Sequence, residues 1–317
     1  MCLSRIGFAA ADGSRSFQPR LKLHLYFSLA LQETVLFMDW ITEHKLPFGE
    51  AMEDFVDLLV DHGGAVFDAI SETLDTLIHG LTEGLLWIHP VALILAFTAA
   101  AWLWHRRWGM PVFTIVAFGL IWNLGYWEDT MATLSLVLYA TVICIAVGVP
   151  LGIFTAHRNW MYRFLQPVLD LMQTIPPFVY LIPTLTLFGL GVVPGVISTV
   201  IFAIAAPIRL TYLGISEVPK ELLEAGRSFG CTHRQLLFKV ELPAAMSSIA
   251  AGITQCIMLS LSMVVIAALV GADGLGVPVV RALNTVDIAK GFEAGLAIVL
   301  LAIWLDRFFK QRDKTAG

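Results

Sequence analysis

Seven predominantly apolar stretches, separated by short polar connections, decide what this chain can fold into. They run Leu85 to Trp104, Pro111 to Trp127, Thr133 to Thr155, Phe164 to Phe188, Val196 to Ile215, Ala245 to Val270 and Phe292 to Trp304. Most approach the ~20 apolar residues that an α-helix needs to cross a bilayer core. Backbone amides and carbonyls in hydrocarbon must be satisfied within the segment, which favours helices. The expected fold class is therefore all-α, a polytopic membrane helix bundle of about seven spans. Gly148, Pro150, Pro176, Pro177 and Pro183 fall inside these stretches, where neighbouring helices can satisfy the freed carbonyls.

Composition closes off the soluble alternatives. With 57% hydrophobic and 14% charged residues and a mean hydropathy of +0.77, the chain lacks the polar surface to cover itself in water and needs membrane lipid around it. A net charge of -5 with no basic face argues against a nucleic-acid partner. Cys2, Cys144, Cys231 and Cys256 are widely spaced, a pattern suited neither to a disulfide framework nor to a metal site.

The charges that exist are segregated. Arg106 and Arg107, Arg158 and Arg163, then Lys220, Arg227, Arg234 and Lys239, and finally Arg307, Lys310, Arg312 and Lys314 fall in alternate connections, whereas the others are acidic or neutral, as at Glu128-Asp129. The positive-inside rule puts the basic connections in the cytoplasm. With an odd number of spans, the N-terminus lies outside and the C-terminus inside.

Upstream of the spans, residues 1–37 mix Arg5, Arg15, Arg20 and Lys22 with an apolar patch too short to cross a bilayer. They are expected to be a disordered tail or a mis-assigned start, with Met38 the more natural beginning. Residues 38–84 read as an extracytoplasmic amphipathic helical region. Phe55, Leu58, Leu59, Val66, Ile70, Leu74, Leu77, Ile78 and Leu81 form a stripe opposite Asp54, Asp57, Asp61, Asp68, Glu72 and Asp75, with a break expected at Gly63-Gly64. Residues 85–130 form peripheral spans, 131–306 a core transmembrane domain carrying a connection at 216–243, and 307–317 a cytoplasmic tail.

That connection, EVPKELLEAGRSFGCTHRQLLFKVELP, is the most informative stretch. It predicts a helix from Pro219 to about Phe229, a turn at Gly230, and a second helix from about Thr232 to Val240. Gly230 can take the positive φ that stops the first helix, and Thr232 can cap the second. Pro219 and Pro243 suit helix starts, where a missing amide hydrogen costs nothing. A membrane protein that builds a rigid, bent helix pair in a connection is presenting it to a soluble partner.

Glu224-Ala225-Gly226, then Gly230, then Leu242-Pro243 resemble the EAA motif of binding-protein-dependent ABC importer permeases, with Gly226 where a second alanine is common. VPLGI from Val149, LDLMQTIPPFVYLIP from Leu169, RSFG from Arg227, LFKVELP from Leu237 and LSMVVIAALVGADGLG from Leu261 narrow the likeness. They resemble the glycine betaine/proline betaine group, the quaternary-amine osmoprotectant permeases. The likeness covers about Asp54 to Arg307, without the fused binding domain that some relatives carry. It implies a type I importer permease with a MetI-like core, an ABC ATPase partner gripping Glu224, Ala225, Gly226, Gly230, Leu242 and Pro243, an extracytoplasmic substrate-binding protein, and a second permease copy. ATP and Mg would be bound by the ATPase. The chain itself carries no GxxxxGK[ST] loop and is expected to be non-catalytic, with no cofactor or metal of its own.

Polar residues inside the spans are candidates for the substrate path. Asp170 and Gln173 lie one turn apart in the fourth stretch, and Tyr180, Asn123 and Gln255 are further candidates. For each, a buried structural hydrogen bond is the alternative. An aromatic cage selecting a quaternary ammonium is expected in the separate binding protein. Two other classes stay open at this point: an ion-coupled secondary transporter, for which the spans offer almost no acid besides Asp170, and a non-transporting membrane scaffold.

Overall fold

The computed structural model describes residues 47–106 and 108–310. Two compact units divide at Phe55/Val56, and of the first only residues 47–55 are described. The expectation for residues 1–37 lies outside the described residues. The described chain is helical: α1 Phe48–Trp87, α2 Pro90–His105, α3 Gly109–Asn123, α4 Trp127–Ala156, α5 Asn159–Thr174, α6 Pro177–Phe188, α7 Val192–Ala203, α8 Ala205–Ser216, α9 Lys220–Ser228 and α10 His233–Leu236. A π-helical turn, Leu237–Glu241, leads into α11 Leu242–Ala267, and a 3₁₀ turn, Ala268–Val270, is followed by α12 Gly276–Thr285 and α13 Ile288–Phe309.

Four helical rods are long and apolar enough to cross a bilayer: Trp127–Ala156, Val192–Ser216, His233–Val270 and Ile288–Phe309. Two bent pairs, α1 with α2 at 103° and α5 with α6 at 97°, and the shorter α3 complete the apolar set. The fourth stretch is thus broken, not continuous. Ile175 is extended and Pro176 stands at the N-cap of α6. Two consecutive prolines, Pro176 and Pro177, remove two amide donors, and the residue before a proline avoids the helical region.

Other expectations move for equally local reasons. The acidic amphipathic segment does not break at Gly63-Gly64 but runs on as α1. Interior glycines cost only about 1 kcal/mol each, and the Phe67 ring folds over Gly63 so closely that an added Cβ would lie 2.6 Å from it. The break comes at Ile88-His89, where Pro90 opens α2 and the His89 side chain accepts from the Val91 amide. The last span is longer than its apolar run. Asp287 caps it by accepting from the Lys290 amide at 3.1 Å, and the charges of Lys290 and Glu293 disguised its first turns. The short helix α12 was not anticipated.

The centre of the bundle is α8, gripped between α4 and α11 by glycines. On α4, a Cβ at Gly148 would meet Pro207 at 3.0 Å, and one at Gly152 would meet Thr211 at 2.6 Å and the Ile208 carbonyl at 2.8 Å. On the other side, a Cβ at Gly214 would lie 2.7 Å from Ser248, and one at Gly252 3.1 Å from Leu210. Lipid tails are as apolar as leucine, so such close backbone approach, with the dispersion contacts it brings, drives helix association in membranes. Elsewhere, α3, α4 and α13 meet in a buried cluster that holds Phe118, Ile121, Met131, Leu301 and Trp304, and Trp304 Nε1 donates to Thr114 Oγ1 at 3.1 Å. Thr133 Oγ1 accepts from the Leu275 amide at 2.8 Å, fastening the loop before α12 to the first turns of α4.

Gly152→Ala pushes a methyl against the backbone of α8, which cannot yield as a side chain can. The expected loss is about 1–3 kcal/mol, seen as a lower Tm in detergent. Gly119→Ala, with open space at its Cβ, should leave Tm unchanged.

Candidate functional site

The connection expected to serve as a docking handle is a rigid corner. Its first arm, α9, begins after Pro219 and ends in a Schellman motif: the Gly230 amide donates to Arg227 O at 2.9 Å and the Cys231 amide to Gly226 O at 3.1 Å. The motif needs a left-handed residue, and Gly230 has φ 76°. The second arm opens at Thr232 with a complete capping box, in which Gln235 Oε1 accepts from the Thr232 amide at 2.9 Å and Thr232 Oγ1 accepts from the Gln235 amide. Two caps back to back leave little freedom between the arms. Gly226 closes the angle, since a Cβ there would sit 2.7 Å from Leu236 Cδ1.

The second arm does not stop where the membrane span begins. α10, the π turn and α11 form one continuous helix, His233–Val270. Pro243 therefore does not start a helix, contrary to its sequence reading. A proline there cannot donate to Lys239 and crowds that carbonyl. The π turn Leu237–Glu241, in which the Leu242 amide reaches back to Leu237 O, widens the helix just ahead of it. Leu242 packs with Ile215, Ala245 and Ile249.

Of the expected handle residues, Glu224, Ala225, Gly230 and Pro243 are exposed, Gly226 is buried and Leu242 half-buried. Glu224 forms no ion pair with Lys220 or Arg227 among the described residues, so its carboxylate is free for another molecule. The sequence reading missed Phe229, 89% exposed, and Phe238, 66% exposed. They belong to the same corner as Leu222, Lys220, Arg227, Arg234 and Lys239, all of them exposed. It also missed Glu241, a buried carboxylate whose Oε2 lies 2.9 Å from His157 Nε2 at the end of α4. No hydrogen-bond donor is aligned on that oxygen. His157 Nδ1 faces Ile153 O at 2.8 Å, and both nitrogens have hydrogen to offer only in the imidazolium form.

The polar span residues fall around the α5–α6 break. Asp170 Oδ1 is 2.6 Å from Arg209 Nη2 on α8. Gln173 is exposed one turn further on. Tyr180 donates its hydroxyl to Met172 O at 2.8 Å, the carbonyl four residues before Pro176 that the proline cannot satisfy. Gln255 stands apart on an exposed face of α11, and Asn123 is exposed at the end of α3.

Residues 148–314, with the corner at their centre, match the family of binding-protein-dependent transport system inner membrane components. The chain belongs to these transport permeases. It is accordingly a multi-pass inner-membrane protein. The glycine betaine transport system permease protein OpuAB of Bacillus subtilis is 46% identical over 86% of this permease and 98% of its own length. The glycine betaine/proline betaine permease ProW of Escherichia coli is 44% identical over 83% of this permease and 75% of its own length. An inward-facing structure of the MetNI methionine ABC transporter superposes with a TM-score of 0.51 at 21% identity, covering 56% of this permease and 88% of that chain, which shows a MetI-like fold.

Because the atom facing Gly226 is the far end of a leucine side chain, Gly226→Ala needs only a small movement of Leu236. It should leave the permease's stability within about 1 kcal/mol of the parent, the scale of a single tolerated methylene. Gly226→Leu should open the corner, measured as faster proteolysis between α9 and α10.

Proposed function

We propose that this permease is the membrane path of an ATP-driven importer for glycine betaine, proline betaine or a related quaternary amine such as choline or carnitine. The observation that carries the reading is the doubly capped corner at 219–243, continuous with a spanning rod, in a chain 46% identical to a glycine betaine permease. Its exposed Phe229, Phe238 and Glu224 suit docking into a cleft of an ABC ATPase, which would bind ATP and Mg. Closure of two ATPases would draw two corners together and turn the path outward; hydrolysis would reset it. A separate extracytoplasmic binding protein would deliver the solute to a pair of identical permeases.

The N-terminus would lie outside and the C-terminus in the cytoplasm, a reading supported by the basic residues Arg106, Arg158 and Arg307 and the basic corner, which alternate with acidic or neutral connections. His105 at the end of α2 touches the Arg307 carbonyl near the end of α13 at 2.9 Å, in keeping with that grouping. The path would follow the α5–α6 break, with Asp170, Gln173 and Gln255 lining it and Tyr180 beside it. Asp170, the acid that an ion-coupled transporter would need, is partnered by Arg209.

Co-expressed with its ATPase, the tagged permease should recover the ATPase in equal amount. Proteoliposomes holding both should import glycine betaine only with ATP and a loaded binding protein. Gly230→Pro, which cannot take φ 76°, should abolish uptake while membrane insertion stays intact. Uptake driven by an ion gradient through the permease alone would refute the proposal.

A further inference from the structure

Two opposite charges on neighbouring helices face each other. Arg209 is the one charged residue of the rod Val192–Ser216, and its Nη2 meets Asp170 Oδ1 on α5. Next to them along the same seam, Tyr162 of α5 and Tyr212 of α8 stack with ring centroids 3.4 Å apart and planes 2° from parallel. Leu169 on α5 packs with Ala205 and Ile208 on α8, so both pairs flank one helix crossing. Tyr162 lies within the electrostatic field of both Arg209 and Asp170.

Stability does not explain the charges. An ion pair taken out of water recovers little more than its desolvation cost, and an apolar pair of the same size often serves as well. The pair is also only partly covered: the Asp170 side chain is 53% exposed and that of Arg209 31%. Arg209 Nε is buried with no partner among the described residues. The guanidinium thus keeps one buried donor uncommitted beside the one that holds Asp170.

We propose that Arg209, Asp170, Tyr162 and Tyr212 form a zwitterion-selective gate on the substrate path, closed on itself when empty and opened by a betaine. This rests on the quaternary-amine reading above and narrows it to zwitterions, leaving out choline, which has no carboxylate. A betaine carries a carboxylate and a quaternary ammonium about one methylene apart. Its carboxylate replaces Asp170 on the Arg209 fork, and its ammonium takes up Asp170 and the tyrosine faces, which attract cations at ~0.5–2 kcal/mol each. Every charge remains compensated through the exchange. A simple cation leaves Arg209 unpaired and a simple anion leaves Asp170 unpaired, and a charge without its partner in a partly covered seam between helices is disfavoured. The gate therefore screens solutes after the binding protein has already chosen them.

The test uses the reconstituted complex of permease, ATPase and binding protein. Asp170→Asn and Arg209→Gln singly should each cut glycine betaine uptake at least tenfold. The double variant Asp170→Asn/Arg209→Gln decides the matter. With no stray charge it should assemble and retain ATPase activity stimulated by loaded binding protein, yet import at least tenfold less than wild type. Tyr212→Phe, which keeps the ring, should import normally, whereas Tyr212→Leu should lose at least fivefold with assembly unchanged. Wild-type uptake by the double variant, or equal uptake by Tyr212→Leu and Tyr212→Phe, would overturn the gate and leave the ion pair structural. Failure of the wild-type complex to import any betaine would overturn the quaternary-amine reading and the gate together, and is told apart by occurring before any substitution.

Discussion

Close backbone approach at four glycines holds this molecule together. Gly148 and Gly152 on α4, Gly214 on α8 and Gly252 on α11 let three helices come nearer than any side chain would permit. In water the hydrophobic effect would assemble them; in lipid that force is absent, and packing density must take its place. A second set of contacts, the buried aromatic cluster around Trp304 and the loop pinned by Thr133, fastens α3, α13 and the segment before α12 to the start of α4. The Arg209 and Tyr212 side chains owe their positions to the same α8 backbone.

Upon this rigid centre the chain arranges two breaks and one deliberate continuity. The break at Ile175 places Asp170 and Gln173 at the foot of a bent span, and Tyr180 closes the carbonyl that the break exposes. The corner at Gly230 turns the chain without loosening it, because each arm is capped by groups of the corner itself. Glu241, meanwhile, links the end of that corner to α4 through His157. The same junction is packed by Val149, Ile153 and Ala156 of α4 against Leu242, Ala245 and Ile249 of α11.

Most of the architecture was legible from residues 85–306, since long apolar runs in a membrane have few alternatives to helices. The corner was legible as well, because Gly230 and Thr232 each encode a specific cap; the partner half of the capping box, Gln235, was not read. What escaped was set by partners remote in sequence. The Gly148/Gly152 spacing becomes meaningful only once Pro207 and Thr211 are seen opposite. The lone Arg209 in an apolar run was visible, but not that Asp170 would meet it across 39 residues. Asp287 and Lys290 hid the start of α13, because a polar first turn looks like loop until its cap is recognised. The π turn had its signal in Pro243, which the sequence reading took for a helix start. A proline just beyond an uninterrupted helical pattern admits either reading, and the missing amide is all the sequence records.

The unbroken helix from His233 to Val270 has a mechanical meaning. At ~1.5 Å per residue its 38 residues make a lever about 57 Å long, reaching from the corner to the far side of the bundle. It is clasped near its middle, where Ala245, Ser248 and Gly252 press on α8. A stiff bar held at such a fulcrum swings its two ends in opposite senses. A displacement of the corner at one end thus becomes a displacement of opposite sense at Val270, so the two faces of the bundle are tied to one motion.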